Sequence, residues 1–194
     1  DVWLKQLNEN PEQDPAKLAG VIVDSYQQYY EQGNDDTVTL AAFDLEKIGA
    51  LRDSFAALSD AMRTDLKDSY QAIAEARSGV DAYSQPKPET FSAIDLGDFT
   101  RLIGRQGAQG QVATAAEALT AQLADARIAE WHGTFHDRST GMSIFFPQVA
   151  ELLPDFYEQA SPLPRETSWG SFLKEFYQAG GQQVSAPEIG DLQL

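Results

Sequence analysis

The chain predicts a mixed α/β fold, and three stretches carry that prediction. Gly141 to Pro147, Gly-Met-Ser-Ile-Phe-Phe-Pro, puts Met142, Ile144 and Phe146 on one face of a strand and Phe145 on the other. Such two-sided apolarity belongs to an interior strand that needs cover on both faces. Thr37 to Phe43 alternates, with Val38 and Leu40 set against Thr37 and Thr39. Leu45, Ile48, Leu51, Phe55, Leu58, Met62, Leu66 and Ile73 recur at helical spacing, the stripe of one long helix from Asp44 to about Arg77.

Composition narrows the class. With 194 residues, 42% of them apolar, the chain can close a core without disulfides or metal, as one large domain or two small ones. There is no cysteine, so thiol nucleophiles, thiolate ligands and disulfides are all excluded. A formal charge of −16 repels phosphate backbones and anionic lipid, so nucleic acid is not an expected partner. An acidic surface attracts basic peptides or cations, and it also serves simply to keep a protein solvated. No apolar run is long enough to cross a bilayer, so membrane insertion is not expected.

In chain order, Val2, Trp3, Leu4 and Leu7 lie on a helical period with nothing capping them, which reads as a start in mid-structure. Asp14 and Pro15 form an N-cap and first-turn pair for a helix to about Glu31, with Leu18, Ile22, Tyr26 and Tyr29 on one face. Asp44 caps the long helix. Pro86 and Pro88 mark Ser84 to Thr90 as a loop and as the best internal boundary. Asp95 caps a short helix with Phe99, Leu102 and Ile103 inward, and Gly104 to Gly110 links it to an Ala-rich helix from Val112 to about Arg127. Ile128 to His136 carries the Trp and Phe of a strand, and the turn residues Asp137 to Thr140 join it to Met142–Phe146 as a β-hairpin. Val149, Leu152, Leu153 and Phe156 predict a short helix. Ser168 caps a last one, in which Trp169, Phe172, Leu173 and Phe176 form an aromatic anchor. The residues from 180 to 194, rich in Gly, Gln and Pro, read as a mobile tail.

The residues that could carry chemistry are few. His132 and His136 share a strand face, but four strand residues span about 13 Å, too far for one ion without a bend. They read as surface or hydrogen-bonded histidines rather than metal ligands. Ser143 lies at the start of a strand, outside any G-x-S-x-G elbow, and reads as a strand serine. Asp24, Asp44, Asp95 and Asp98 adjoin apolar residues, yet Asp44 and Asp95 are accounted for as caps. The Gly107 and Gly110 spacing follows no strand and carries no lysine, so it makes no phosphate cradle. No catalytic, cofactor-binding or metal-ligating residue emerges from spacing alone.

The order of the pieces says more. Ile22-Val23-Asp24-Ser25-Tyr26, then Thr39 to Leu45, then the Leu51 to Arg77 helix, resemble the clostripain-like (C11) cysteine peptidases. Ile94 to Phe99, Gly141 to Pro147, and Trp169 with Phe172-Leu173 continue the resemblance in the family's order, from about Trp3 to Tyr177. The resemblance implies part of a caspase-like α/β/α sandwich plus a C-terminal helical subdomain with the 128–146 hairpin. On that basis residues 1–83 form the C-terminal part of the core, 91–179 the subdomain, and 180–194 the tail.

The resemblance also implies a His/Cys dyad that cleaves after Arg or Lys, calcium dependence, and a secreted or cell-envelope location. In the family both dyad residues precede the region resembled here, and this chain has no cysteine, so no catalytic residue carries over. Three readings follow. The first is the nucleophile-lacking C-terminal portion of such a peptidase, partnered by the dyad-bearing N-terminal segment. The second is a non-catalytic acidic scaffold of the cell envelope related to the family. The third is an unrelated enzyme built on the histidines or carboxylates, which no spacing supports.

Overall fold

The described elements converge on Phe146. In the computed structural model, which describes residues 2–33, 35–83 and 93–181, its ring is fully buried. It meets Phe99, Trp169, Phe172 and Phe176 edge to face, with centroids 5.3 to 5.9 Å apart. Edge-to-face contact sets the positive rim of one ring against the negative face of the next, adding to the burial of area. The Arg77 guanidinium stands 5.6 Å from the same ring, and its Nε donates to the Phe146 carbonyl at 2.6 Å.

Around this hub the helices are α1 (Val2–Glu9), α2 (Pro15–Gly33), α3 (Ile48–Thr64), α4 (Leu66–Gly79), α5 (Leu96–Arg105), α6 (Gly110–Ala126), α7 (Tyr157–Ala160), α8 (Pro162–Glu166) and α9 (Trp169–Ala179). The strands are β1 (Thr39–Phe43), β2 (Ala93–Asp95), β3 (Arg127–His132) and β4 (Ser143–Phe145). They make two antiparallel pairs, β1 with β3 and β2 with β4. Helix α3 lies along α6, and α9 packs on both α3 and α4. The mixed helix and strand character predicted from the sequence therefore holds.

The single long helix divides. Leu45–Lys47 is a short 3-10 turn capped by Asp44, whose side chain accepts from the Glu46 N–H, and Leu45 is 84% exposed. At Asp65 the backbone leaves helical geometry (φ −102°, ψ 21°), which separates α3 from α4. On either side of the break α3 buries Leu51, Phe55, Leu58 and Met62 and α4 turns Ile73, Ala76 and Arg77 inward, and both helices pack on α9.

The predicted 128–146 hairpin does not form. β3 pairs with the distant β1, in register Leu40 to Trp131, and β4 pairs with β2, in register Ile94 to Ile144. Gly133 stands at the end of β3, still bonded to Val38. A Cβ there would sit 2.3 Å from the Asp36 carbonyl oxygen, so only glycine lets the chain cross so close, and residues 134–136 then coil as a 3-10 turn. Gly141 makes the second crossing. At φ 88°, with a hypothetical Cβ only 2.3 Å from that of Ala41, it lets the chain pass over the β1–β3 sheet and enter β4.

Several smaller expectations also meet the structure. Phe99, Ile103 and the Trp169, Phe172, Leu173, Phe176 anchor are buried as predicted, while Phe156 and Phe135 are exposed. Trp131 does anchor β3, edge-on to Tyr26 at 5.9 Å. Ser168 precedes α9 without a side-chain capping bond. The Ser84 to Thr90 loop and all but the start of the 180–194 tail lie outside the described residues.

Candidate functional site

Strand β2 ends in Asp95, and the cap it forms is the start of a buried polar network. Asp95 Oδ1 accepts from the Asp98 N–H at 2.8 Å and from the Thr140 hydroxyl at 2.7 Å. Its Oδ2 accepts from the Thr140 N–H at 2.7 Å and from the Tyr83 hydroxyl at 2.6 Å. Since Tyr83 donates there, the Ser139 hydroxyl at 2.8 Å donates to it in turn. One turn on, Asp98 is fully buried and accepts from Arg138 Nε at 3.0 Å, from the Asp81 N–H at 2.9 Å and from Arg101. Arg138 also donates to the Gly79 carbonyl, which ties the end of α4 to the 134–140 segment.

His136 belongs to the same network. It is buried, and its Nδ1 lies 2.7 Å from Asp81 Oδ1; an ionised carboxylate only accepts, so the proton sits on Nδ1. Asp81 Oδ2 has no hydrogen-bond partner among the described residues. Burial, with Asp95 second, pushes the Tyr83 phenol far above its ordinary value, and the hydrogen bond to Asp98 raises the Arg138 guanidinium. The network thus holds three buried carboxylates beside two guanidiniums and one imidazole. Isolated buried charges of this kind persist only when paired and hydrogen-bonded.

Two surface cavities adjoin this region. One of about 310 Å³ is lined by Thr37, Thr39, Tyr83, His136, Gly141 and Ser143, so it opens over the His136 and Tyr83 rings. The other, about 330 Å³, lies where the end of α2 meets β3 and is lined by Tyr30 and Trp131 together with Glu31, Asp35, Asp36 and His132. Aromatic faces beside carboxylates favour cations, through both the ring quadrupole and plain charge. His132 Nδ1 is held 2.7 Å from Glu130 Oε1.

The two histidines are therefore each paired with a carboxylate, in separate places, as hydrogen-bonded histidines and not as a shared metal site. Among the described residues no group of three or more His, Asp or Glu side chains is arranged to hold a metal ion. Ser143 stands exposed at the cavity rim, with no hydrogen bond to His136 among the described residues. Among the described residues the His136 imidazole is oriented by Asp81 with no hydroxyl hydrogen-bonded to it, and the chain has no thiol, so what is seen of the arrangement positions and holds. Asp81, Tyr83 and Ser139 carry no sequence signal of their own; the Asp-x-Tyr spacing gains meaning only when β2 returns beside it through the Ala82 to Ile94 bridge.

A third feature is the far edge of β1. That strand pairs with β3 on one side only, among the described residues, and every residue in it is half-buried, as is Val38 before it. No described helix is long and apolar enough to cross a membrane.

Comparison with curated proteins and with solved structures yields no match. The family model of the clostripain peptidases matches residues 3–176, from the start of α1 almost to the end of α9. The chain belongs to the clostripain (C11) family.

Proposed function

We propose that this chain is the C-terminal, nucleophile-lacking portion of a clostripain-like endopeptidase that cleaves after Arg or Lys, and that it supplies scaffold and part of the substrate groove. The observation that carries the reading is the half-buried β1, whose edge away from β3 has no partner among the described residues, in a family member with no cysteine: such an edge can take strands from elsewhere. In this reading a dyad-bearing N-terminal segment of the same precursor extends β1 into a caspase-like α/β/α sandwich. The Tyr30, Trp131, Asp35 and Asp36 cavity has the right character for a basic substrate side chain. Secretion or attachment to the cell envelope, and any dependence on calcium, belong to the same reading.

The test has two arms. Alone, the chain hydrolyses no Arg- or Lys-containing peptide, with or without calcium; turnover abolished by a thiol reagent would defeat the reading, since there is no thiol to modify. Combined with a segment read from upstream in its gene that carries a strand ending Gly-His and a strand ending Asp-x-Cys, it supports cleavage. An upstream frame lacking both motifs turns the assignment to a non-catalytic acidic scaffold. That second reading draws on one observation: the core around Phe146 closes with no help from another polypeptide.

A further inference from the structure

Strand β1 borders a cavity on each face near the edge that, among the described residues, pairs with no other strand. Val38 O accepts from the Gly133 N–H at 3.0 Å, so in an antiparallel ladder Val38, Leu40 and Ala42 direct their backbone groups toward β3. Thr39 and Ala41 then present theirs to the open edge, where no described hydrogen bond meets them. On the α2 face, Leu40 borders a groove of about 410 Å³ whose walls include Trp3, Ile22 and Tyr26. On the opposite face, Thr39 borders the cavity of about 310 Å³ over Tyr83, His136 and Ser143. The first is walled mainly by apolar and aromatic side chains, with Ser25, Gln28 and Gln32 among them, the second by hydroxyls and an imidazole.

We propose that this edge is a docking slot for an added β-strand whose side chains alternate apolar and polar and whose flanks are basic. A strand laid on β1 would form the ladder bonds that Thr39 and Ala41 leave open. Its side chains, alternating by the period of two, would fill the apolar groove on one face and the hydroxyl-lined cavity on the other. Charge selects the occupant. Residues 1–44 hold nine acidic side chains against Lys5 and Lys17 alone, and the ion pair recorded among the described ones is Lys5 with Glu9. A second copy of a chain with formal charge −16 would meet like charge on docking, whereas a strand flanked by Lys and Arg would be drawn in. The inference rests on the reading that a further polypeptide segment completes the sheet, and it specifies what that segment looks like where it docks.

The experiment uses the full chain with a designed peptide of about ten residues, alternating Val and Thr between Lys-Arg pairs. Fluorescence anisotropy reads binding, and amide hydrogen exchange by NMR reads protection at Thr39 and Ala41. Expected are saturable binding, new protection at both amides, and weakening by added salt. Thr39→Pro, which removes an outward N–H at the first strand position, should weaken binding about tenfold. Trp3→Ala, on a helix that buries no residue and so leaves the fold intact, should weaken it as well. Equal binding of a Glu-flanked peptide, equal binding of a peptide with the same residues in blocks, unchanged protection at the two amides, or a chain that light scattering shows as a dimer through this edge would each overturn the slot. Protection at Thr39 and Ala41 without peptidase activity in the reconstituted assembly would leave the slot standing and defeat the endopeptidase reading. Activity with both amides unprotected would do the reverse.

Discussion

The layer formed by α1, α2, β1 and β3 and the core around Phe146 are built from the same kinds of residue and reach opposite outcomes. In the core, Phe99, Phe146, Trp169, Phe172 and Leu173 are all fully buried. In the layer, α1 buries nothing, α2 buries only Val23, and β1 is half-covered along its length. Charge differs only in degree. Ion pairs sit on the surface of the core, Arg63 with Glu175 at 2.7 Å, Lys174 with Glu158 at 2.8 Å and Lys47 with Asp125 at 2.9 Å, and residues 1–44 hold nine acidic side chains against two lysines where residues 45–194 hold 21 against 12. The core closes its apolar area within the chain, whereas the layer leaves part of its own half-covered among the described residues, which is where the proposed strand would dock.

The sharpest way to break this comparison is to cut matching aromatics. Phe146→Ala should cost about 3–5 kcal/mol in urea denaturation, since it empties a site filled on every side. Trp131→Ala should cost about 1–2 kcal/mol, because its ring is only half-buried against Tyr26. Equal costs would erase the distinction between layer and core. Asp98→Ala should come next, at about 3 kcal/mol, since it strips Arg138 and the Asp81 N–H of their buried acceptor. A loss below about 1 kcal/mol would mean that the network contributes little to the join between α4, α5 and the 134–140 segment.

Gly141→Ala tests the crossing that sets the layer on the core. It combines a positive φ with a clash against Ala41 and should cost about 2 kcal/mol, read as a fall in Tm. A neutral result would mean the crossing is loose.

Alkaline pH should act on the core. Burial raises Tyr157 to about 12 and lifts Tyr83 and Tyr177 as well, so the folded state holds these phenol protons more tightly than the unfolded chain does. Their contribution is whole below the ordinary phenol value of 10.0 and is lost as pH rises from there toward about 12 for Tyr157 and higher for the other two. Unfolding free energies measured at about pH 9 and about pH 11.5 should differ by about 2 kcal/mol from Tyr157 alone, with Tyr83 and Tyr177 adding in the same direction. Replacing Tyr157 with Phe should shrink the difference.

The smallest effect concerns exposed charge. The hydrogen bond from Lys174 holds the Glu158 carboxyl below its ordinary value, so its contribution is present above the unfolded carboxylate range and fades as pH falls through the folded value. Glu158→Gln should cost about 0.5 kcal/mol at neutral pH. In the layer, Asp24→Lys should change stability by less than about 0.5 kcal/mol, because Asp24 is exposed and has no ion-pair or hydrogen-bond partner among the described residues. A large change in either would show coupling beyond the recorded pairs.

Periodicity made the helices legible, because the 3.6-residue repeat is written into which side chains are apolar. The spans near 15–31, 112–127 and 168–178 fall within two residues of α2, α6 and α9. The Trp169, Phe172, Leu173, Phe176 stripe could likewise be read as core before any contact was known. The buried network was legible only at Asp95, whose capping role is local. Asp81, His136 and Arg138 stand far apart in the chain, and no spacing rule connects them.

By itself, then, the sequence determined the helical segments, the apolar centre at 141–147, the acidity, the lack of a thiol and the family. Each of these is local, or a sum over residues, so it survives without knowledge of neighbours. Strand partners were decided only by the tertiary structure. Ala93–Asp95 is too short to carry a strand signal, yet it takes β4, while β3 crosses to β1. A two-residue period says which face is apolar and says nothing of which edge lies alongside. That choice fell to the close passes at Gly133 and Gly141, where the chain needs a neighbour's backbone or side chain within a Cβ's reach before the constraint exists at all.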